Sequence, residues 1–190
     1  MVTINRRLNL VIPVEQSSGM LYVHSSPIAP DVFEKYYLVI SKTFSEIYAQ
    51  GLNVWAGPRV ASLILKDVAD KLGTKDDVEK GLLSEIRRLT NCCVQKESGG
   101  WDIVPYQTLF QNKQIDAKDL SEVENALVFF TVASSMHRKN QVPAILDGVA
   151  ELWEAQVTSS NCTEFASSLP ISTKADATGT QTTSLASVPH

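Results

Sequence analysis

Hydrophobic positions along the chain first repeat every second residue and then every third or fourth. Leu8, Leu10, Ile12 and Val14 alternate with Asn9, Val11 and Pro13. After a Gln16-Ser17-Ser18-Gly19 turn signal, Leu21, Val23 and Ser25 alternate with Tyr22 and His24. This period of two predicts a β-hairpin over about residues 6–25. Pro13 cannot donate to a ladder, so its strand is expected at an edge or bulge there.

Helical spacing follows. Pro30 suits a first turn, and Phe33, Tyr37, Ile40, Phe44, Ile47 and Tyr48 share one face up to Gly51, a terminator. Gly57-Pro58 is expected to start a second helix with Val60, Ile64, Val68 and Leu72 inward, ended by Gly73. Thr74 is the candidate cap of a third, whose stripe runs Val78, Leu82, Ile86, Leu89 and Cys93. The pattern then fades. Trp101-Asp102-Ile103-Val104 reads as a short strand, and Pro105 opens a short helix to about Asn112. Asp116 caps the next helix, in which VENALVFFTVASSM is apolar nearly all round, as in a central buried helix. Pro143 starts another, with Ile145, Leu146, Val149, Leu152 and Trp153 inward. Ser159-Ser160-Asn161 offers caps for a last helix through Phe165, stopped by Pro170.

The expected fold class is mainly α: a compact helical domain over residues 1–170 carrying the N-terminal hairpin. Residues 171–190 are rich in Ser and Thr and lack any period, so they are expected to form a flexible, disordered tail. The expected core comprises Phe33, Tyr37, Ile40, Phe44, Ile64, Val68, Ile86, Leu127, Phe130, Val149 and Trp153.

Composition narrows the partners. Among 190 residues, 44% are apolar and 20% charged, ordinary values for a globular chain. Seventeen basic against 21 acidic residues give −4, which disfavours a nucleic-acid partner. No run approaches the roughly 18 apolar residues of a membrane span, so no membrane partner is expected. The apolar stretch after Arg6-Arg7 is too short for a signal peptide. Three cysteines, an odd number with two adjacent, fit reduced thiols in a cytosol better than a disulfide framework.

Candidate chemistry is sparse. Cys92-Cys93 lacks the spaced partner pair that zinc needs, and Cys93 reads as a small hydrophobe on the third helix. His24 sits in the hairpin, His137 at a helix end beside Arg138-Lys139, and His190 in the tail. A cysteine or serine nucleophile with His137 or His24 as its base has no local signature. The carboxylates Asp67 and Asp70, Asp76 and Asp77, and Glu122 and Glu124 lie where helix starts and solvated faces want them. Asn161-Cys162-Thr163 matches a glycosylation sequon by chance. No phosphate-cradling glycine loop is present. Arg87-Arg88 fits either an acidic partner's site or a helix C-terminus, and Tyr36-Tyr37 and Phe129-Phe130 fit interaction anchors or, more commonly, core. No residue is therefore assigned to catalysis, to a cofactor or to a metal, and an enzyme is not expected.

The stretches LNLVIPV, YVHSSPI, FEKYYLVISKTFSEIYAQG, GPRVASLILKDVA, EIRRLTN, VENALVFFTVASSMHR and CTEFASSLP resemble those of the tail assembly chaperones of long-tailed (lambda-like) bacteriophages, over about residues 6–170. The resemblance implies a protein of the host cytoplasm, absent from the mature virion. It would bind the tape measure protein and promote tail tube polymerisation, with the major tail (tube) protein and self-association as further contacts. Many members of that family are made in two forms, the longer by frameshifting, and a loose tail suits a linker to such an extension. Such a chaperone needs weak apolar helix contacts repeated along its target. The family supplies no residue-level motif. The alternative is a virion structural protein, a neck, connector or minor tail component, using its hairpin for strand addition.

Overall fold

The computed structural model describes residues 8–16, 19–96, 99–112, 115–137, 140–146 and 154–170. Its centre is a five-stranded antiparallel sheet, so the fold is mixed α/β and the mainly α expectation is corrected. The hairpin forms as expected: β1 (Asn9–Gln16) pairs with β2 (Gly19–Ser25), with Gln16 opposite Gly19. Three further strands complete the sheet: β3 (Thr90–Gln95), β4 (Trp101–Pro105) and β5 (Gln156–Thr158). Their order is β4-β3-β2-β1-β5. Because β5 pairs only with Asn9, Leu10 and Val11, Pro13 lies beyond its end. There, among the described residues, β1 has a strand neighbour on one side only, the edge position that Pro13 requires.

The strand β3 overturns part of the third helix. That helix breaks into α3 (Lys75–Asp77), a π-helical segment Val78–Leu83 and α4 (Ser84–Arg88). The chain leaves it at Leu89, whose carbonyl accepts the Ser26 N–H at 3.2 Å. Thr90 Oγ1 bridges the Ile86 carbonyl at 2.8 Å and Ser25 Oγ at 2.9 Å, tying the helix end to β2. Cys92 and Cys93 then point to opposite faces of the sheet, so Cys93 belongs to no helical stripe.

One face of the sheet carries the main core. Leu10, Ile12, Leu21, Val23 and Cys92 meet a layer built by α1 (Pro30–Ala49), α2 (Asn53–Lys71) and α6 (Ala117–Met136). The ten residues α6 buries include an unbroken run from Asn125 to Ala133, as its all-round apolarity predicts. Gly51 and Gly73 both take positive φ, and each ends its helix in a paired 6→1 and 5→2 hydrogen-bond motif. The second helix starts at Asn53, one turn before the expected Gly57-Pro58, so Pro58 lies inside it. An ideal Cβ at Gly57 would come 2.7 Å from Ile47 Cγ2 and 3.2 Å from Phe129 Cε2, so the glycine is what lets the three helices close up. The short helix α5 (Tyr106–Gln111) follows Pro105 as expected, and residues 142–146 are helical.

Of the expected core, Ile40, Ile64, Val68, Ile86, Leu127 and Phe130 are buried, and Phe33 and Phe44 are partly so. Tyr37 is not core: it is 53% exposed. The inward arc of α1 is Tyr36, Val39, Ile40, Thr43 and Ile47, which turns Tyr37 outward. Val149, Trp153 and the tail 171–190 lie outside the described residues.

Candidate functional site

On the other face of the sheet the C-terminal segment forms a strap. It starts as β5 beside β1 and continues as α7 (Cys162–Ser168) across β3 and β4. Asn161 caps α7 in a reciprocal box: its Oδ1 accepts the Glu164 N–H at 2.9 Å, and Glu164 Oε2 accepts the Asn161 N–H at 3.1 Å. Four attachments hold the strap down. The Ser160 carbonyl accepts Asn9 Nδ2 at 2.9 Å and His24 Nε2 at 3.0 Å. Phe165 packs edge-on against Tyr22 and tilted against His24. Cys162 Sγ lies 3.7 Å from Cys93 Sγ. At the far end, Trp101 Nε1 donates to the Pro170 carbonyl at 3.0 Å.

The strap thus gathers three of the residues singled out by sequence, His24, Cys93 and Cys162, under one short helix. Their chemistry differs from a nucleophile–base couple. The imidazole of His24 makes its polar contacts with backbone, that of Ser160 and its own. Burial pushes its pKa down, so it is neutral and donates from Nε2. The hydrogen bond from the Cys93 thiol lowers the pKa of Cys162. That same bond, together with burial, raises the pKa of Cys93. Cys92 is on the opposite face in the main core, where burial pushes its thiol up to about 12.

The other candidates are structural. His137 ends α6, its Nδ1 on the Ala133 carbonyl at 3.1 Å and its ring against Phe44. Arg87 sits between Glu79 and Glu124, at 3.0 and 2.5 Å, and over the Phe110 ring. Burial opposes its charge, yet the two carboxylates outweigh that and hold its pKa above the ordinary value. Arg88 pairs with Glu85, so both arginines are already matched within the fold. Asp67, Asp70, Asp76 and Asp77 pair with Lys71, Lys75, Lys80 and Lys35. Phe129 and Phe130 are core. His190, Arg6-Arg7 and Arg138-Lys139 lie outside the described residues. Among the described residues, no group of three or more His, Cys, Asp and Glu is placed to hold a metal ion, and no helix is long and apolar enough to cross a membrane.

A second surface lies on α1. Tyr37 and Leu38 are more than half exposed, and Tyr48 is 38% exposed. Phe33 stacks edge-on with Tyr37 and Phe44 lies against Tyr48, which makes two aromatic pairs along the helix, the members of each four residues apart. Leu38 also borders a hollow of about 180 Å³, which it lines with Val39, Leu72 and Val78 and which Lys35, Tyr36 and Asp77 close. Sequence reading missed Leu38 as a surface residue, and missed Tyr22, Trp101 and Phe165 as the seat of the strap. The Tyr22/His24 alternation was the available signal for the latter. No family model, curated protein or solved structure matches the chain.

Proposed function

We propose that the protein is a tail assembly chaperone of a long-tailed bacteriophage, which binds the tape measure protein and promotes tail tube polymerisation in the host cytoplasm. The observation that carries this reading is the exposed aromatic and aliphatic side of α1. Tyr37, Leu38 and Tyr48 all fall within FEKYYLVISKTFSEIYAQG, one of the stretches in which the resemblance lies. Apolar side chains left in water on a rigid helix suit shallow, repeated contacts with a long helical target. Tyrosine is well fitted to this, since it presents a large apolar ring with a polar tip at low entropic cost. Many weak sites along one target give avidity and still release one by one as tube subunits arrive.

A second reading, a virion structural protein, is favoured by one feature. The outer edge of β4 has no strand partner among the described residues and is open to strand addition. Two measurements decide. Co-expression with a tape measure protein should keep that protein soluble and yield a complex on a sizing column. Mass spectrometry of purified particles should find the chain absent. A stoichiometric copy number in the virion selects the structural reading, and failure of both rescue and complex formation removes the chaperone reading.

A further inference from the structure

The two thiols beneath the strap are in van der Waals contact across 69 residues of chain. They belong to elements that approach from different directions. Cys93 is fixed in the middle of a sheet and is fully buried, whereas Cys162 opens α7 and is half-buried. We infer that Cys93 and Cys162 form a reversible disulfide site that locks the C-terminal strap onto the outer face of the sheet when the protein meets a peroxide. This inference does not depend on the proposed chaperone role.

The geometry selects this pair. A disulfide needs its sulfurs at roughly 2.0 Å, and the two sulfurs, already 3.7 Å apart, have less than 2 Å left to close. Cys92 is excluded as a partner although it is adjacent in sequence. It faces the main core on the other side of the sheet, whereas Cys93 packs in a small separate cluster with Val11 and Phe165. Cys162 is the entry point, because it alone of the three is reachable from solvent. The hydrogen bond from Cys93 also favours its thiolate.

The reaction balances with one hydroperoxide. Ionised Cys162 attacks the O–O bond of hydrogen peroxide, giving a sulfenic acid and hydroxide, which takes up the proton that Cys162 released. The Cys93 thiol then attacks the sulfenic sulfur, the S–S bond forms, and the hydroxyl leaves with the Cys93 proton as water. Two electrons pass from the two sulfurs to the peroxide, and two waters are produced. A thiol reductant reverses the reaction by exchange.

The consequence is mechanical. Reduced, the strap is held by its β5 pairing, the Ser160 contacts, Phe165 and the Trp101 bond. Oxidised, it is covalently joined to β3, and Val11, Tyr22 and Trp101 stay covered. Pro170, bonded to Trp101 Nε1, then stays at the β4 side of the sheet.

The test uses the full chain, purified with reductant and then treated with excess hydrogen peroxide followed by desalting. Thiol titration in denaturant should fall from three groups to one, peptide mapping should join Cys93 to Cys162, and dithiothreitol should restore all three. The oxidised form should melt several degrees higher than the reduced form, as expected for closing a long loop. Cys92→Ser should leave the bridge intact, and Cys162→Ser should abolish it. Three thiols remaining after treatment, a bridge to Cys92, a crosslink between chains, or oxidation of Cys162 that stops short of a disulfide would each overturn the proposal. Because the decisive readout is the mapped bridge in the unmutated chain, a poorly folding variant does not weaken the test.

Discussion

Gly81 and the Tyr36 hydroxyl compete for one space. An ideal Cβ built on Gly81 would overlap Tyr36 Oη and lie 2.8 Å from Cζ. Gly81 sits in the π-helical segment, and Tyr36 is buried on the inward arc of α1. The tyrosine hydroxyl reaches the Asp77 carbonyl at 3.3 Å and accepts from Lys35 Nζ at 2.8 Å, so it is held at its tip as well as along its ring. The widened turn is the local backbone solution that admits it.

Gly81→Ala should therefore destabilise the protein by about 1–3 kcal/mol, despite the roughly 1 kcal/mol that alanine ordinarily gains over glycine in a helix. Urea unfolding measures it. Tyr36→Phe in the same background should recover only part of the loss, because the ring carbon remains too close. An alanine variant as stable as the parent would show that the segment relaxes to an ordinary α-turn at no cost.

The strap should respond to pH through His24. An unfolded histidine takes up its proton near 6.5, and burial makes the folded residue do so only at lower pH. Between those two points the unfolded chain binds more protons, so stability falls as pH drops; above 6.5 the contribution is fully present. Glu85, whose carboxyl is held low by its hydrogen bond with Arg88, titrates below this range. Protonation puts a charge beside Phe165, so the strap is where the loss should show. Urea midpoints taken from about pH 7.5 to about pH 5.5 should decline in the parent and flatten in His24→Gln. Equal slopes in the two proteins would mean that His24 is not the titrating group.

How far the sequence carried this fold depended on whether the deciding interaction was local. The Leu8–Val14 alternation, the Gly51 and Gly73 terminators and the apolar run of α6 are local signals, and each produced its element. Asn161 with Glu164 three residues on is likewise local, and its reciprocal cap forms. Strand β3 was not legible, because Thr90–Gln95 continues a helical spacing through Leu89 and Cys93. Its strand state is set by the open edge of β2, some 65 residues earlier, where Thr90 meets Ser25. Three-residue β5 has no pattern of its own and exists through Asn9–Val11. The grouping of His24 with Cys93 and Cys162 followed from these two pairings, so it too was hidden. Tyr37 was misplaced for a smaller reason. A stripe through Phe33, Tyr37 and Phe44 and one through Tyr36, Ile40 and Ile47 lie about 60° apart on a helix, and propensity does not say which one faces inward.

That misplacement leads to the sharpest test of the proposed chaperone surface. Tyr37 and Leu38 are 53% and 55% exposed, so replacing both removes little packing. The pair Tyr37→Lys and Leu38→Glu leaves the net charge unchanged. It also sets the new lysine three residues after Glu34 and the new glutamate three after Lys35 and four before Lys42, spacings that offset the glutamate's like-charge position four after Glu34. Stability should therefore stay within about 1 kcal/mol of the parent, the sum expected for two surface changes. Affinity for the tape measure protein should fall at least tenfold on the order of a tyrosine hot spot's contribution. Titration calorimetry with a soluble tape measure fragment gives the affinity, and urea unfolding confirms the fold. An unchanged affinity with an unchanged fold would take α1 out of the interface, and a partner would then have to be sought at the open edge of β4.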